Sequence, residues 1–342
     1  MLKKKVSIII PNWNGKRFLK MCLSSLDKLT YPNYEIVVVD NGSKDGSREY
    51  VKRYFPFVRL IENKENLGYA GGANLGIKNS FGDYVLILNN DVEVEPNFLT
   101  ILVERLESSS KIACVQPKIC TYDNREILDA VGSFLTSSGF LYHFGRLKKA
   151  SLSQYNQVRE IYSAKGAAML LRRDVLDRIG LFDDDFFAYF EETDLCHRVW
   201  LAGYRVVYEP KAVIYHVVAG TSLKFFVGAP MLYFSLRNRI CSFLKNYETF
   251  NLIKLLLITL LIYFGMSLVY LATFKFSLVL AVIKAVFWNF KNLPKTLKKR
   301  KFVQEKVRRI SDEELFKKTM KNPPISYYFY LFRNKLEHFS DI

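Results

Sequence analysis

Three carboxylates fall within four residues at Glu191-Glu192-Thr193-Asp194, directly after the aromatic residues Phe186, Phe187, Tyr189 and Phe190. Acids that dense in an apolar setting are unfavourable unless they are used. The pattern predicts the first turn of a helix running to Leu201. The helix dipole favours negative charge there and helps keep a base ionised near neutral pH. N-terminal capping explains one or two acids, but not three.

Other candidate groups sit where apolar runs stop. Asp91 closes DYVLILNND (83–91). A divalent cation that neutralises a departing diphosphate takes oxygen ligands, one or two of them carboxylates, with phosphate and water completing the shell. Asp91 has the right chemistry, although strand-end aspartates are common without metal. His216 ends AVIYH and is either a core histidine or a ligand through a neutral ring nitrogen. Asp40 ends YEIVVVD and can accept from a base N–H or a ribose hydroxyl, yet DNGS is equally a turn sequence. The stretch NLGYAGGANLG (66–76) permits close backbone approach to a ligand and reads as well as a tight turn into a helix. Its spacing is neither GxxxxGK[ST] nor a clean GxGxxG.

These groups need strands and helices to place them. VSIII (6–10), YEIVVVD, residues 58–62 and DYVLILNND read as strands. Helical patterns fall between them, one carrying Phe18, Cys22, Leu23 and Leu26, another over 43–55 with Ser43 as its cap. Such alternation predicts βαβ units, hence an α/β fold with a mostly parallel sheet. Ligands of such sheets bind at the carboxyl ends of the strands, so Pro11–Asn14, Asp40 and Asn89–Asp91 are expected on one edge. Residues 112–160 show only short strand-like runs, and 145–160 read as a mobile loop. AAMLLRRDVLDRIG restores a strand and a helix.

The 342 residues suffice for one large domain and an appendage, and the net charge of +17 calls for a polyanionic partner. Five cysteines without a CxxC pair fit a reducing compartment. The N-terminal apolar run ends at Pro11, too soon for a signal peptide. Leu255–Phe274 is a run of 20 residues without a formal charge, and Phe276–Phe290 is a shorter one interrupted by Lys284. Nine Lys or Arg and one Glu follow between Lys291 and Arg309, and Arg237, Arg239, Lys245 and Lys254 precede the first run. Both flanks therefore prefer the cytoplasm. A two-helix membrane hairpin satisfies this, interfacial helices are the second choice, and a buried helix pair in a soluble domain is the third.

VSIIIPNWNG (6–15), IVVVDNGSKDGS (36–47), NLGYAGGANLG (66–76), LILNNDVEVEP (86–96), FFAYFEETDLCHR (186–198) and YHVVAGTS (215–222) together resemble the family 2 glycosyltransferases of GT-A fold, in particular their rhamnosyltransferase-like branch. The resemblance implies an inverting transfer from a nucleotide-diphosphate sugar. It assigns the nucleotide to Pro11, Asn14, Asp40, Asn66, Gly71, Asn74 and Asn90. Asn89-Asn90-Asp91 stands where the family has Asp-x-Asp, which leaves Asp91, with His216 as an additional ligand, to hold Mn2+ or Mg2+. Glu192 becomes the general base, one methylene longer than the usual Asp, with Glu191 and Asp194 in support and Lys165 and Arg198 as candidate cations. The expected division is a GT-A domain over 1–245, a membrane hairpin or interfacial helices over 246–292, and a basic cytoplasmic tail over 293–342. The expected setting is the cytoplasmic side of the cell membrane, with a lipid-linked saccharide or polysaccharide as acceptor and dTDP-rhamnose or a UDP-sugar as donor. Two other readings are an inactive membrane-anchored scaffold and a nucleic-acid-binding protein. The densest basic stretch adjoins the apolar run, where it suits anionic lipid rather than nucleic acid.

Overall fold

The central strands carry apolar residues on both faces because both faces of their sheet are covered. In β1 (Val6–Asn12), Val6, Ile8 and Ile10 face one helical layer and Ile9 faces the other. The computed structural model describes residues 3–217, 228–332 and 335–341. After β1 come α1 (Lys16–Leu26), β2 (Tyr34–Asn41), α2 (Ser47–Tyr54), β3 (Arg59–Asn63), α3 (Gly68–Lys78) and β4 (Tyr84–Leu88). The next elements are β5 (Val92–Val94), α4 (Phe98–Glu107), β6 (Ile112–Thr121), β7 (Leu128–Ala130), β8 (Gly132–Leu135), β9 (Leu141–Phe144) and β10 (Arg159–Glu160). The domain continues through β11 (Ala168–Arg172), α5 (Arg173–Ile179), α6 (Glu191–Leu201) and β12 (Arg205–His216).

Ten strands form one mixed sheet in the order β10-β12-β6-β11-β4-β1-β2-β3, with β5 on β12 and β7 on β6. The half from β4 to β3 is wholly parallel, as the βαβ pattern predicts. β11 enters antiparallel between β4 and β6. Strands β8 and β9 make a separate antiparallel hairpin. The fourth strand stops at Leu88, which leaves Asn89–Asp91 in the turn beyond it. The helix expected from residue 43 starts at Ser47 instead, after a left-handed Gly46.

Two expectations about order need correction. Residues 145–160 are not a mobile loop: Tyr155 is buried, and the Ala150 N–H donates to the Glu126 carbonyl at 2.7 Å. Their anchors lie elsewhere in the chain, which is why local periodicity missed them. The stretch after Asn292, expected as a basic tail, is folded over its described residues. It forms α10 (Leu293–Phe302), α11 (Asp312–Thr319) and α12 (Ile325–Phe332), counted after the helices α7 to α9 below. Leu315, Tyr327, Leu336 and Phe339 from this stretch enter the same core as the sheet. Asp341 accepts from the Tyr155 hydroxyl at 2.7 Å and the Gly145 N–H at 2.8 Å. Lysines separate these apolar residues in the sequence and conceal their common face.

Between lie α7 (Ala229–Asn246), α8 (Thr249–Ala272) and α9 (Phe276–Lys291). Among the described residues, α8 is the one unbroken helix long and apolar enough to cross a membrane, and it is mostly uncovered. Phe250, Leu257, Leu261, Phe264 and Leu268 are exposed along it. Helices α9 and α10 are bent by 65° to each other. Ala281, Val282 and Ala285 of α9 are buried, and Asn289 donates to the Arg237 carbonyl at 2.9 Å, which ties α9 to α7. Both ends of the α8–α9 hairpin thus return to α7.

Candidate active site

The carboxyl ends of β1, β2 and β4 are joined by a polar network. Asp40 is fully buried and accepts from Asn12 Nδ2 (3.1 Å), the Ser43 N–H (3.0 Å) and Arg48 Nε (2.7 Å). Asn12 Oδ1 accepts from Asn90 Nδ2 at 2.7 Å. Gly15 is required beside this pair, since a Cβ there would stand 2.0 Å from Asn90 Nδ2. Asn14 adopts a φ of 50° while its Oδ1 accepts from the Lys44 N–H at 2.8 Å. Its own N–H donates to Ser43 Oγ at 2.9 Å, so Ser43 links two turns rather than capping a helix. Pro11, Asn12, Asn14, Asp40 and Asn90 therefore do converge, with Asp40 beneath the turns. Asn12 was not singled out in the sequence; its place in PNWNG, directly after the strand, was the available signal.

The glycine-rich stretch is a packing face. Asn66 Oδ1 accepts from the Gly68 N–H at 2.9 Å and turns the chain into α3. A Cβ on Gly72 would lie 2.5 Å from Asn41 Nδ2, and one on Gly76 would lie 2.2 Å from Ile9 Cγ2. Added at Gly71, it would meet Leu67 of the preceding turn. Asn74 does not join the network of Asn12, Asp40 and Asn90. Its amide donates to the Phe182 carbonyl (2.9 Å) and Asp184 (2.6 Å) and accepts from the Phe182 N–H (3.0 Å), holding the loop before α6.

β12 ends at His216, paired with Val92, and this register brings His216 to Asp91. His216 Nε2 stands 3.3 Å from Asp91 Oδ1, which is buried and has no aligned hydrogen-bond donor. Nδ1 lies 2.7 Å from Asp129 Oδ2. Burial opposes a charge on His216, but its hydrogen bond to Asp129 and the nearby Asp91 carboxylate outweigh it and carry its pKa up to about 9. Burial also pushes the Asp129 carboxyl up; Lys165 and His216 more than offset this and hold it well below the usual carboxylate range. Asp129 sits on a three-residue strand in a segment without periodicity, and no sequence signal marks it.

A buried carboxylate oxygen without a donor, an imidazole facing it, and a second carboxylate behind the imidazole fit Mn2+ or Mg2+. Among the described residues no three His, Cys, Asp or Glu side chains could hold an ion by themselves. The remaining ligands would have to be phosphate and water.

Glu191 and Glu192 open α6 as predicted, after two consecutive left-handed residues, Tyr189 (φ 68°) and Phe190 (φ 73°). Such backbone persists only where its surroundings impose it. Here Asn238 of α7 does so, donating to the carbonyls of Ala188 (3.0 Å) and Tyr189 (2.7 Å). Oε2 of each glutamate is buried without a hydrogen-bond partner. Burial first, and the charge of Glu192 second, push Glu191 well up. Burial also raises Glu192, against the pull of backbone N–H groups and Lys165. The helix dipole is expected to favour ionisation of the pair, but burial outweighs it and shifts both carboxyls upward. Burial and then the charges of Glu191, Glu192 and Asp91 raise the Tyr69 hydroxyl, so the field of all three carboxylates reaches this phenol.

Asp194 does not join them. It faces α7, 3.1 Å from Arg198 Nη2 and 3.0 Å from Lys245 Nζ, and accepts from Asn246 Nδ2 at 2.9 Å. Arg198 also donates to the carbonyls of Ile179, Gly180 and Leu181, so it is a structural clamp rather than a cation for the leaving group. Their i, i+4 spacing was the signal for an ion pair. Residues 218–222 of the YHVVAGTS segment lie outside the described residues. Two surface clefts, of about 400 and 440 Å3, are elsewhere: the first is lined by Asp183, Arg198 and Lys299, the second by Trp200, Arg205 and Arg309.

A sequence model of the family described as "Glycosyl transferase family 2" matches residues 7–180. The chain is 29% identical over 197 residues to the low-salt glycan biosynthesis hexosyltransferase Agl10 of Haloferax volcanii, covering 56% of this chain and 61% of that protein. It is 26% identical over 225 residues to the N-acetylglucosaminyl-diphospho-decaprenol L-rhamnosyltransferase of Mycobacterium tuberculosis, covering 58% and 71%. The match spans between 24% and 61% of the length of the first three curated relatives. In fold the chain is similar to the mannosyltransferase PcManGT of Pyrobaculum calidifontis, solved with GDP-Man and Mn2+, at a TM-score of 0.55 and 16% identity over 85% of this chain and 88% of that one.

Proposed function

The chain belongs to glycosyl transferase family 2, and from that premise we propose that it moves a sugar, with inversion, from a nucleotide-diphosphate donor to a lipid-linked saccharide or polysaccharide acceptor at a membrane. The observation that carries this reading is His216 against Asp91 in the turn beyond β4, together with Glu191 and Glu192 opening α6, each with a buried oxygen that has no partner.

Glu192 is the base. Backbone N–H groups and Lys165 favour its anion, whereas the charge of Glu192 adds to burial in raising Glu191. A raised pKa suits a base that works near neutrality. Glu192 takes the proton of the acceptor hydroxyl as that oxygen bonds to the anomeric carbon. The bond from this carbon to the diphosphate breaks on the opposite face, and the diphosphate leaves with the electron pair. Mn2+ or Mg2+ held by Asp91 and His216 would neutralise the charge gathering on the diphosphate. The network of Asn12, Asp40 and Asn90 orders the edge against which the nucleotide lies.

The exposed apolar face of α8 supports membrane attachment. The hairpin that returns to α7, with basic flanks at both ends, supports a cytoplasmic active site. The name of the mycobacterial relative, an enzyme acting on a diphospho-decaprenol-linked sugar, supports a lipid-linked acceptor, and dTDP-rhamnose is the first donor to try. The test is release of nucleoside diphosphate from a panel of dTDP-, UDP- and GDP-sugars by the detergent-solubilised protein, with Mn2+, Mg2+ or chelator. Metal-dependent release from one donor is expected. Failure to bind any donor would overturn the reading.

A further inference from the structure

Helix α7 carries three cations, and two are fully matched. Arg237 donates to Asn238 and the Asp185 carbonyl, and Lys245 pairs with Asp183 and Asp194. Arg239, two residues on and about 200° round the helix, is different. Its Nε and Nη1 are buried without a hydrogen-bond partner among the described residues, and no ion pair reaches it there. Aromatic rings are its cover: the guanidinium lies 3.8 Å from the centre of Phe140 and 5.4 Å from that of Phe190. A guanidinium so placed carries a desolvation penalty that an incoming anion removes.

The surroundings say which anion. Phe190 directly precedes Glu191, so one side of Arg239 adjoins the reaction centre. On the other side Phe140 packs against the apolar cluster of Leu236, Ile240, Tyr263, Val282 and Ala285, which joins α7 to α8 and α9. The Tyr263 hydroxyl of α8 donates to the Leu236 carbonyl at 3.2 Å, one turn before Arg239. Arg146, Lys165 and Arg239 all act on His143, opposed by Asp129, and Asp129 is already held by Lys165 and His216. The nucleotide edge, at Asn12 and Asp40, is built from other elements.

We propose that Arg239 binds a phosphate of the acceptor, one that links the accepting sugar to an apolar chain lying along α8 and α9. This rests on the transferase reading and narrows it: the acceptor is a polyprenyl-type phosphate or diphosphate rather than a free polysaccharide. The phosphate would seat against the guanidinium, the chain against the exposed apolar helices, and the sugar hydroxyl toward Glu192.

The test uses the full chain in neutral detergent, with farnesyl diphosphate as probe and farnesol as its uncharged counterpart. Wild type is expected to bind the diphosphate at least tenfold more tightly. Arg239→Gln is expected to lose about 10- to 100-fold of that affinity and leave farnesol binding unchanged. Arg239→Lys should recover part of it. UDP and dTDP binding with Mn2+ should be the same in all three proteins, which also reports folding. Equal binding of the two probes by wild type would overturn the proposal, as would an Arg239→Gln protein that keeps the preference. Dihexanoyl phosphatidate that displaces farnesyl diphosphate at equal concentration would make the site a phospholipid headgroup site and overturn its assignment to acceptor. Absence of nucleotide binding in wild type, with the Arg239-dependent preference intact, would count against the transferase reading alone.

Discussion

The first turn of α6 holds two kinds of acid. Glu191 and Glu192 have buried oxygens without partners, and burial raises both. Asp194, on the same turn, is met by Arg198, Lys245 and Asn246. There burial also raises the carboxyl, but Lys245 and Arg198 outweigh it and hold it low. Asp183, in the preceding loop, is kept low in the same way by Lys245 and Lys299. The difference separates residues that build the site from those that work in it. A neutralised acid locks α6 against α7, whereas an unneutralised one is available to take a proton.

The contrast can be broken at several points. Glu192→Gln removes the proposed base and is expected to lower turnover by ~10^2–10^4-fold, with donor affinity within a few-fold of wild type by nucleotide titration. Lys245→Met leaves Asp183 and Asp194 buried without their shared cation. A loss of ~3–5 kcal/mol in denaturant unfolding is expected. Turnover should rise with pH through a midpoint above the ordinary glutamate value of 4.5, because the base is raised; a pH–rate profile with donor saturating checks this.

The smallest effect sharpens the comparison through stability. Glu191 has a folded pKa above its unfolded value, so its contribution is present below about pH 4.5 and is lost as pH rises through the folded value. Glu191→Gln should therefore stabilise the protein at neutral pH by ~1 kcal/mol, read as a rise in Tm. Asp194 has the opposite sign. Its contribution is present above its unfolded pKa of 3.8 and is lost as pH falls through the folded value.

Legibility in the sequence followed the same division. The parallel half was readable because its strands are short and apolar on both faces, and the residues at the strand ends, Asn12, Asp40 and Asn90, did converge. Glu191 and Glu192 were visible by density alone. Asp194 and Arg198 were taken for chemistry because partners such as Lys245 are distant in sequence. Asn74 looked like a ligand residue for the same reason: its loop partners are more than 100 residues away. Asp129 and the anchoring of 293–341 were invisible, since short strands and spaced apolar residues leave no periodic signal. Part of the basic run is internal as well: Lys295 and Lys299 pair with Asp185, and Arg300 donates to the carbonyls of Leu244 and Tyr247. Its charge is thus a smaller attraction for lipid than the sequence suggests.

The most direct measurement compares Glu192→Gln with Asp194→Asn, taking turnover per folded molecule and Tm on the same preparations. The account predicts that the first loses turnover while its Tm holds or rises, and that the second loses several degrees of Tm with turnover within a few-fold of wild type. Full turnover in Glu192→Gln, or its loss in Asp194→Asn at unchanged Tm, would contradict it.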